Sequence, residues 1–273
     1  MDKYRIKQGQ NVQLKDFDPD DKSGWDRDKV SGEAKLVELR LELDQLQEVL
    51  YAENKHKILI VLQAIDTAGK DGTIRSVFQG VNPQGVRVDS FKVPSVTEQA
   101  HDYLWRIHAE APENGEIIIF NRSHYENLLV VRVHNLVPDK IWQRRFQHIN
   151  DFERMLADEG TAIIKFFLHI DLKTQKGRLM DRLNDPKKQW KLSTSDLPER
   201  KLWPAYTQAY EDVLSKTSTE YAPWYVVPSN HNWYRDLMVA SVIVDTLKML
   251  KPEFPKSTLD LEAYRKQLDS EKD

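Results

Sequence analysis

Residues 57–73 read KILIVLQAIDTAGKDGT. The run KILIVLQAI (57–65) is apolar and β-branched with hardly a break, as in a strand covered on both faces of a parallel sheet. It ends at Asp66 and passes into DTAGKDGT (66–73). Small residues there let backbone N–H groups approach an anion closely, and a lysine stands ready to reach it. Ala68, Gly69, Lys70, Asp71, Gly72 and Thr73 are therefore candidate phosphate-holding positions. The full G-x-x-x-x-G-K-[ST] pattern is not met, because Ala64 replaces the first glycine and Asp71 stands where the hydroxyl belongs. An ordinary strand-to-helix turn with a surface lysine is the competing reading. Asp66 speaks against it, since a carboxylate beside phosphates repels them unless Mg²⁺ intervenes or a proton is to be accepted. Thr73 is placed either to cap the following helix or to donate to phosphate, and Arg75 lies close enough to reach an anion.

Outward from this stretch, VRVDSFK (86–92), EIIIFN (116–121), TAIIKFFLHI (161–170) and WYVVPS (224–229) read as further strands. Ser95 and Glu98 form a capping box after Pro94, and Pro138 suits the first position of a helix running to Asp158. Strands separated by helix-length segments predict a three-layer α/β/α sandwich with a mostly parallel five-stranded sheet. Leu36, Leu39, Leu43, Leu46 and Leu50 repeat three and four apart, a helical stripe that fits either the domain's own core or a seam between subunits.

The 273 residues are 40% hydrophobic and 30% charged, enough to build a core and unlike a disordered chain. Forty Lys+Arg against 43 Asp+Glu give a net charge of -3, which argues against a generally basic nucleic-acid binder. The absence of cysteine excludes disulfides, thiolate nucleophiles and Cys-ligated metal. The opening MDKYRIKQGQ is polar, and no apolar run reaches the ~18 residues of a membrane span, so a cytoplasmic protein with no membrane partner is expected. The pattern divides into an arm (1–31), a catalytic body (32–250) with an insertion at 171–200, and a charged tail (251–273).

Functional groups gather at the carboxyl ends of parallel strands. The third strand ends in FNRSHYEN (120–127), so Asn121, Arg122, His124, Tyr125 and Glu126 are expected to face the same crevice as Lys70. Arg122 suits a phosphoryl clamp. Asn121 is a neutral metal ligand at best, so metal would rely on Asp66 with a phosphate-rich substrate, or on Glu126 as well. Glu126 also fits a capping box with Ser123. Arg132 and His134 alternate just beyond, and a lone histidine is more often structural than catalytic. The insertion carries Lys173, Lys176, Arg178, Arg182, Lys187, Lys188 and Lys191 against Asp181 and Asp185. It reads as a lid closing over an anion, with a solvated helix and a nucleic-acid surface as competitors.

Taken in order, AIDTAGKDGT, GVNPQGVRVDSF, IIIFNRSHYE and DPKKQWK resemble the second polyphosphate kinase family, and within it the subgroup acting on both AMP and ADP. The resemblance spans roughly 35–250, and YRIK and FDPDD resemble that subgroup's N-terminal arm. It implies a P-loop kinase-like fold with a helical lid, inorganic polyphosphate as donor, and ADP, AMP and ATP as nucleotides. It further implies Mg²⁺ dependence, with Mn²⁺ as a substitute, and homodimers or homotetramers. By resemblance, Asp66, Lys70 and Arg122 carry the chemistry, and Arg178 and Arg182 fall in the lid. Asn121, Arg122, Tyr125, Glu126 and Arg132 are assigned to the nucleotide. Many members have aspartate before the second-motif arginine. Asn121 departs from that pattern as the AMP/ADP-using subgroup does, where Glu126 is associated with nucleotide choice. The runner-up is an ATP-dependent nucleoside or nucleotide kinase, and a nucleic-acid-binding module without chemistry is the reading from another class.

Overall fold

The computed structural model describes residues 2–271. Along the chain, α1 (Lys29–Glu53) leads into β1 (Lys57–Ala64), α2 (Lys70–Val77) and β2 (Val86–Asp89). Two single-turn helices, α3 (Val96–Gln99) and α4 (Trp105–His108), precede β3 (Ile117–Asn121). Then come α5 (Val130–Val133), α6 (Asp139–Asp158), β4 (Thr161–His169), α7 (Leu172–Asn184), α8 (Asp196–Lys201) and α9 (Trp203–Thr217). The chain closes with β5 (Trp224–Pro228), α10 (Asn232–Leu250) and α11 (Leu261–Ser270).

The sheet order is β2-β3-β1-β4-β5, and every pairing of these strands is parallel. The central position of β1 explains its unbroken apolar sequence. Ile58, Ile60, Leu62 and Ala64 pack on the side of α1, α2 and α10, while Leu59 and Val61 pack on the side of α6 and α9. The helix layers on either face complete the expected three-layer α/β sandwich.

The leucine stripe of α1 is consumed by this core, against α10. Leu43 and Leu50 are fully buried, each worth about 1.5–3 kcal/mol of transfer free energy. Asp28 caps the helix by accepting from Ser31 N–H, and Asn54 ends it in the left-handed conformation. The capping box of Ser95 and Glu98 forms, though the helix it opens is a single turn. Pro138 is the N-cap of α6, one residue outside the position expected for it.

The arm is stitched to the body. Tyr4, Ile6, Val12 and Leu14 are buried, Ile6 N–H donates to Trp224 O at 2.8 Å, and Ser218 Oγ donates to Ile6 O at 2.7 Å. At the other end α11 has no buried residue. Among the described residues no helix is long and apolar enough to cross a membrane.

Candidate active site

The chain leaves β1 toward α2, on one face of the sheet, and leaves β3 toward the turn His124–Asn127 and then α6, on the other. Such a divergence opens a crevice at the carboxyl ends of the strands. Residues 66–73 and 121–126 form its two lips.

On the first lip, Gly69 has φ +106°, and a Cβ there would lie 2.1 Å from Arg235 Nη1. Only glycine satisfies both the backbone and the close approach. Thr67 holds φ +69° with its hydroxyl buried and unpartnered, an unfavourable combination for a β-branched residue. Lys70 Nζ donates to Ala64 O at 3.4 Å. Burial lowers the pKa of its ammonium, with Asp66 pulling the other way.

On the second lip, Arg122 also sits at positive φ, +65°, and its guanidinium donates to Asp66 Oδ1 at 3.2 Å. Burial alone would lower its pKa, but Glu126 and Asp66 hold it above the ordinary value. Asn121 Nδ2 donates to Asp71 Oδ1 at 2.8 Å, a second tie between the lips. Burial raises the Glu126 carboxyl, and Arg122 and Lys70 oppose this only in part.

The Asp66–Arg122 pair divides two cavities. The larger, about 850 Å³, is bordered by the loop, by Lys92 and Asn121, and by Arg182, Trp190 and Lys191 of the insertion. The smaller, about 190 Å³, is lined by Glu126, His134 and Glu199 together with the aromatic rings of Trp203, Tyr206 and Tyr210. Lys70 and Arg122 thus border one space, as the sequence reading required. A chamber whose lining carries more cations than carboxylates meets a partly aromatic one at Asp66 and Arg122, with Lys70 bordering the first.

A family profile described as polyphosphate kinase 2 (PPK2) matches residues 26–255. The chain belongs to the polyphosphate kinase 2 family. It is 56% identical over 94% of its length to the AMP/ADP-polyphosphate phosphotransferase of Meiothermus ruber, covering 96% of that protein. It is 45% identical to the ADP-polyphosphate phosphotransferase of Rhodopseudomonas palustris, over 83% of this chain and 81% of that one. The crystal structure of polyphosphate kinase 2 from Arthrobacter aurescens TC1 superposes with a TM-score of 0.94 at 40% identity, covering 98% of this chain and 95% of that chain.

Within this polyphosphate kinase 2 chain, several residues stand elsewhere than expected. Tyr125 is wholly buried, donating to Glu153 Oε1 at 2.8 Å, and does not face the crevice. The alternation from Asn121 to Glu126 is broken by a 3-10 turn, which carries the Tyr125 ring into the core. Arg132 pairs with Asp212 at 2.7 Å, lies over the Trp142 ring and borders neither cavity. Arg75 is exposed and borders neither cavity. Thr73 is buried within α2, where its hydroxyl donates to Gly69 O at 3.2 Å, and Gly69 rather than Thr73 is the N-cap. Ser123 caps its turn through Tyr125 N–H, leaving the Glu126 carboxylate free of the expected box and facing the smaller cavity. Ala68 is buried with its carbonyl turned away from the crevice toward Arg178 and Arg235.

Arg178 also departs from expectation. Instead of projecting over an anion it donates to the backbone carbonyls of Thr67, Ala68 and Ser229, because α7 packs directly behind the loop. Arg182, one turn on, does border the larger cavity. Sequence reasoning missed Gln175 and Arg235, which bond the same loop, and Glu199, which accepts from Tyr206 at 2.8 Å and pairs with His134 at 3.0 Å. No local pattern marks Gln175 or Arg235, since the loop they bond lies more than a hundred residues away in sequence.

Proposed function

We propose that the chain transfers the terminal phosphoryl group of inorganic polyphosphate to ADP and AMP, forming ATP and ADP, and that the reaction is reversible. The observation that carries this reading is that Asp66 and Arg122 border both cavities, with Lys70 beside them in the larger one. Polyphosphate lies in the larger cavity, where Arg182, Lys191 and Lys92 neutralise its repeating charge. The nucleotide enters from the smaller one, with Glu126 and Tyr206 at its wall.

A terminal phosphate oxygen of the nucleotide attacks the end phosphorus of the polymer. The anhydride P–O bond breaks, and the shortened polyphosphate keeps the electron pair. The nucleophile is already ionised near neutral pH, so no strong base is needed, and stabilising charge on the transferring group is the main task. Lys70 and Arg122 do so from opposite lips. Asp66 orients Arg122 through their 3.2 Å contact.

The donor set suits Mg²⁺, which binds through one or two carboxylates plus substrate phosphates rather than a protein cage. Among the described residues no three His, Asp or Glu side chains cluster as a ready-made metal site, and Asp66 is the carboxylate placed to hold the ion. Bound there, Mg²⁺ would neutralise phosphate charge. Asn121 is committed to Asp71 and does not add to that set. The segment 185–200 is proposed as the closing part of the lid, tied down by the Lys191–Asp71 ion pair at 3.8 Å.

The test is incubation with Mg²⁺, long-chain polyphosphate and either ADP or AMP. Formation of ATP and ADP respectively is expected. Activity with ATP as donor on a nucleoside, and none with polyphosphate, would overturn the reading.

A further inference from the structure

The carbonyls of three consecutive residues at the start of the phosphate loop are each held from outside. Gln175 Nε2 donates to Asp66 O at 3.1 Å, and Arg178 Nη1 donates to Thr67 O at 3.1 Å and to Ala68 O at 2.8 Å. Arg235 Nη1 donates to the same Ala68 O at 3.2 Å. The other guanidinium nitrogen of Arg178 donates to Ser229 O at 2.6 Å and Asn232 Oδ1 at 2.8 Å, locking it to the turn that opens α10.

In a trans peptide the carbonyl of one residue and the N–H of the next point in opposite directions, and the chain has no cis bond among the described residues. Pulling the carbonyls of Asp66 and Ala68 backward therefore turns the N–H groups of Thr67 and Gly69 forward. Both residues border the larger cavity. The Ala68 N–H is spent on Ile65 O at 3.2 Å. Left free, the loop would relax from the positive φ at Thr67, and the forward N–H groups would scatter.

We propose that Arg178 and Arg235 are positioning residues, a two-arginine clamp that sets the anion-binding N–H groups of the loop from behind, and that the first half of α7 is a fixed buttress. The polymer-facing role falls to Arg182 and the segment beyond it. The planar five-donor fork suits this task, because one lysine ammonium cannot span the four carbonyls and one amide oxygen that Arg178 serves. The two clamps share two acceptors, Ala68 O and Asn232 Oδ1, so their effects should not add.

This inference rests on the polyphosphate-dependent activity, which the wild-type enzyme establishes in the same assay. Wild-type inactivity would sink that reading, whereas the variants address the clamp alone. Arg178→Ala, Arg178→Lys, Arg235→Lys and the double lysine variant are compared on short and long polyphosphate. Amide hydrogen exchange of residues 66–72 and thermal melting are followed in parallel. A clamp predicts a fall in kcat of about 10²-fold for Arg178→Ala, equal on both polymer lengths, with KM for polyphosphate little changed. It also predicts faster exchange at Thr67 and Gly69, little rescue by Arg178→Lys, and a double variant no worse than the poorer single one. A KM defect that grows with polymer length, restored by Arg178→Lys with exchange unchanged, would make Arg178 a direct polymer contact and overturn the proposal. Should Arg235→Lys fail to fold, the half-buried Arg178 pair and the exchange readout still decide.

Discussion

The two cavities that meet at Asp66 and Arg122 are built on opposite principles. The larger is open and ringed by cations on flexible stems, Lys92, Arg182 and Lys191 among them. The smaller is about 190 Å³ and walled by rings and by carboxylates fixed through hydrogen bonds, with Glu199 held by both Tyr206 and His134. A repeating polyanion of variable length needs charge without register. A nucleotide needs shape and a few directed polar groups. The contrast shows how a transferase can treat one substrate as a polymer and the other as a single molecule at a shared partition.

The greatest effect should come from the partition, which serves both sides. Lys70→Ala should lower turnover by about 10²–10³ in steady-state assays while melting like the wild type, and near-normal turnover would remove Lys70 from the chemistry. Next come variants that separate the chambers. Arg182→Ala should raise KM for polyphosphate by about tenfold and spare that for ADP, while Glu199→Gln with Tyr206→Phe should do the reverse. Equal shifts in both constants for either variant would erase the distinction.

A smaller effect concerns pH. The Glu126 carboxyl is raised in the folded protein, chiefly by burial, so its contribution is complete below its ordinary value of 4.5 and is lost as pH climbs through the folded value. Glu126→Gln mimics the neutral form. Its stability relative to wild type should therefore improve as pH rises above 4.5 in denaturant titrations. A gap that stays flat would mean Glu126 is ionised without penalty. Smallest of all, raising salt from about 0.05 to about 0.5 M should weaken polyphosphate more than ADP by a few-fold, as screening acts on exposed cations.

The strand at 57–65 and the loop after it were legible because their signals are local: unbroken apolar sequence, then small residues with a lysine. The five strands and the leucine stripe follow from the same kind of periodicity. The arm was harder to read, since Tyr4, Ile6, Val12 and Leu14 are single apolar residues in polar surroundings and become core only through contacts with β5, α9 and α10. The clamp was illegible because its acceptors are main-chain carbonyls, which every residue possesses. One overlooked signal existed. Lys165 stands inside the apolar run TAIIKFFLHI, and a lysine there demands a buried partner. It finds Glu153, with Tyr125 and the carbonyl of Thr217. Glu153 also takes His124, so the turn behind Glu126 rests on a buried polar network.

The contrast between the two ends of the chain has a practical side. Tyr4 reaches the hydroxyl of Tyr234, whose neighbour Arg235 grips the phosphate loop, whereas α11 touches nothing it needs to bury. Cargo, surfaces or labels are best attached beyond Lys251. Trimming even a handful of residues from the front would tug, through a single helix, on the seat of the reaction.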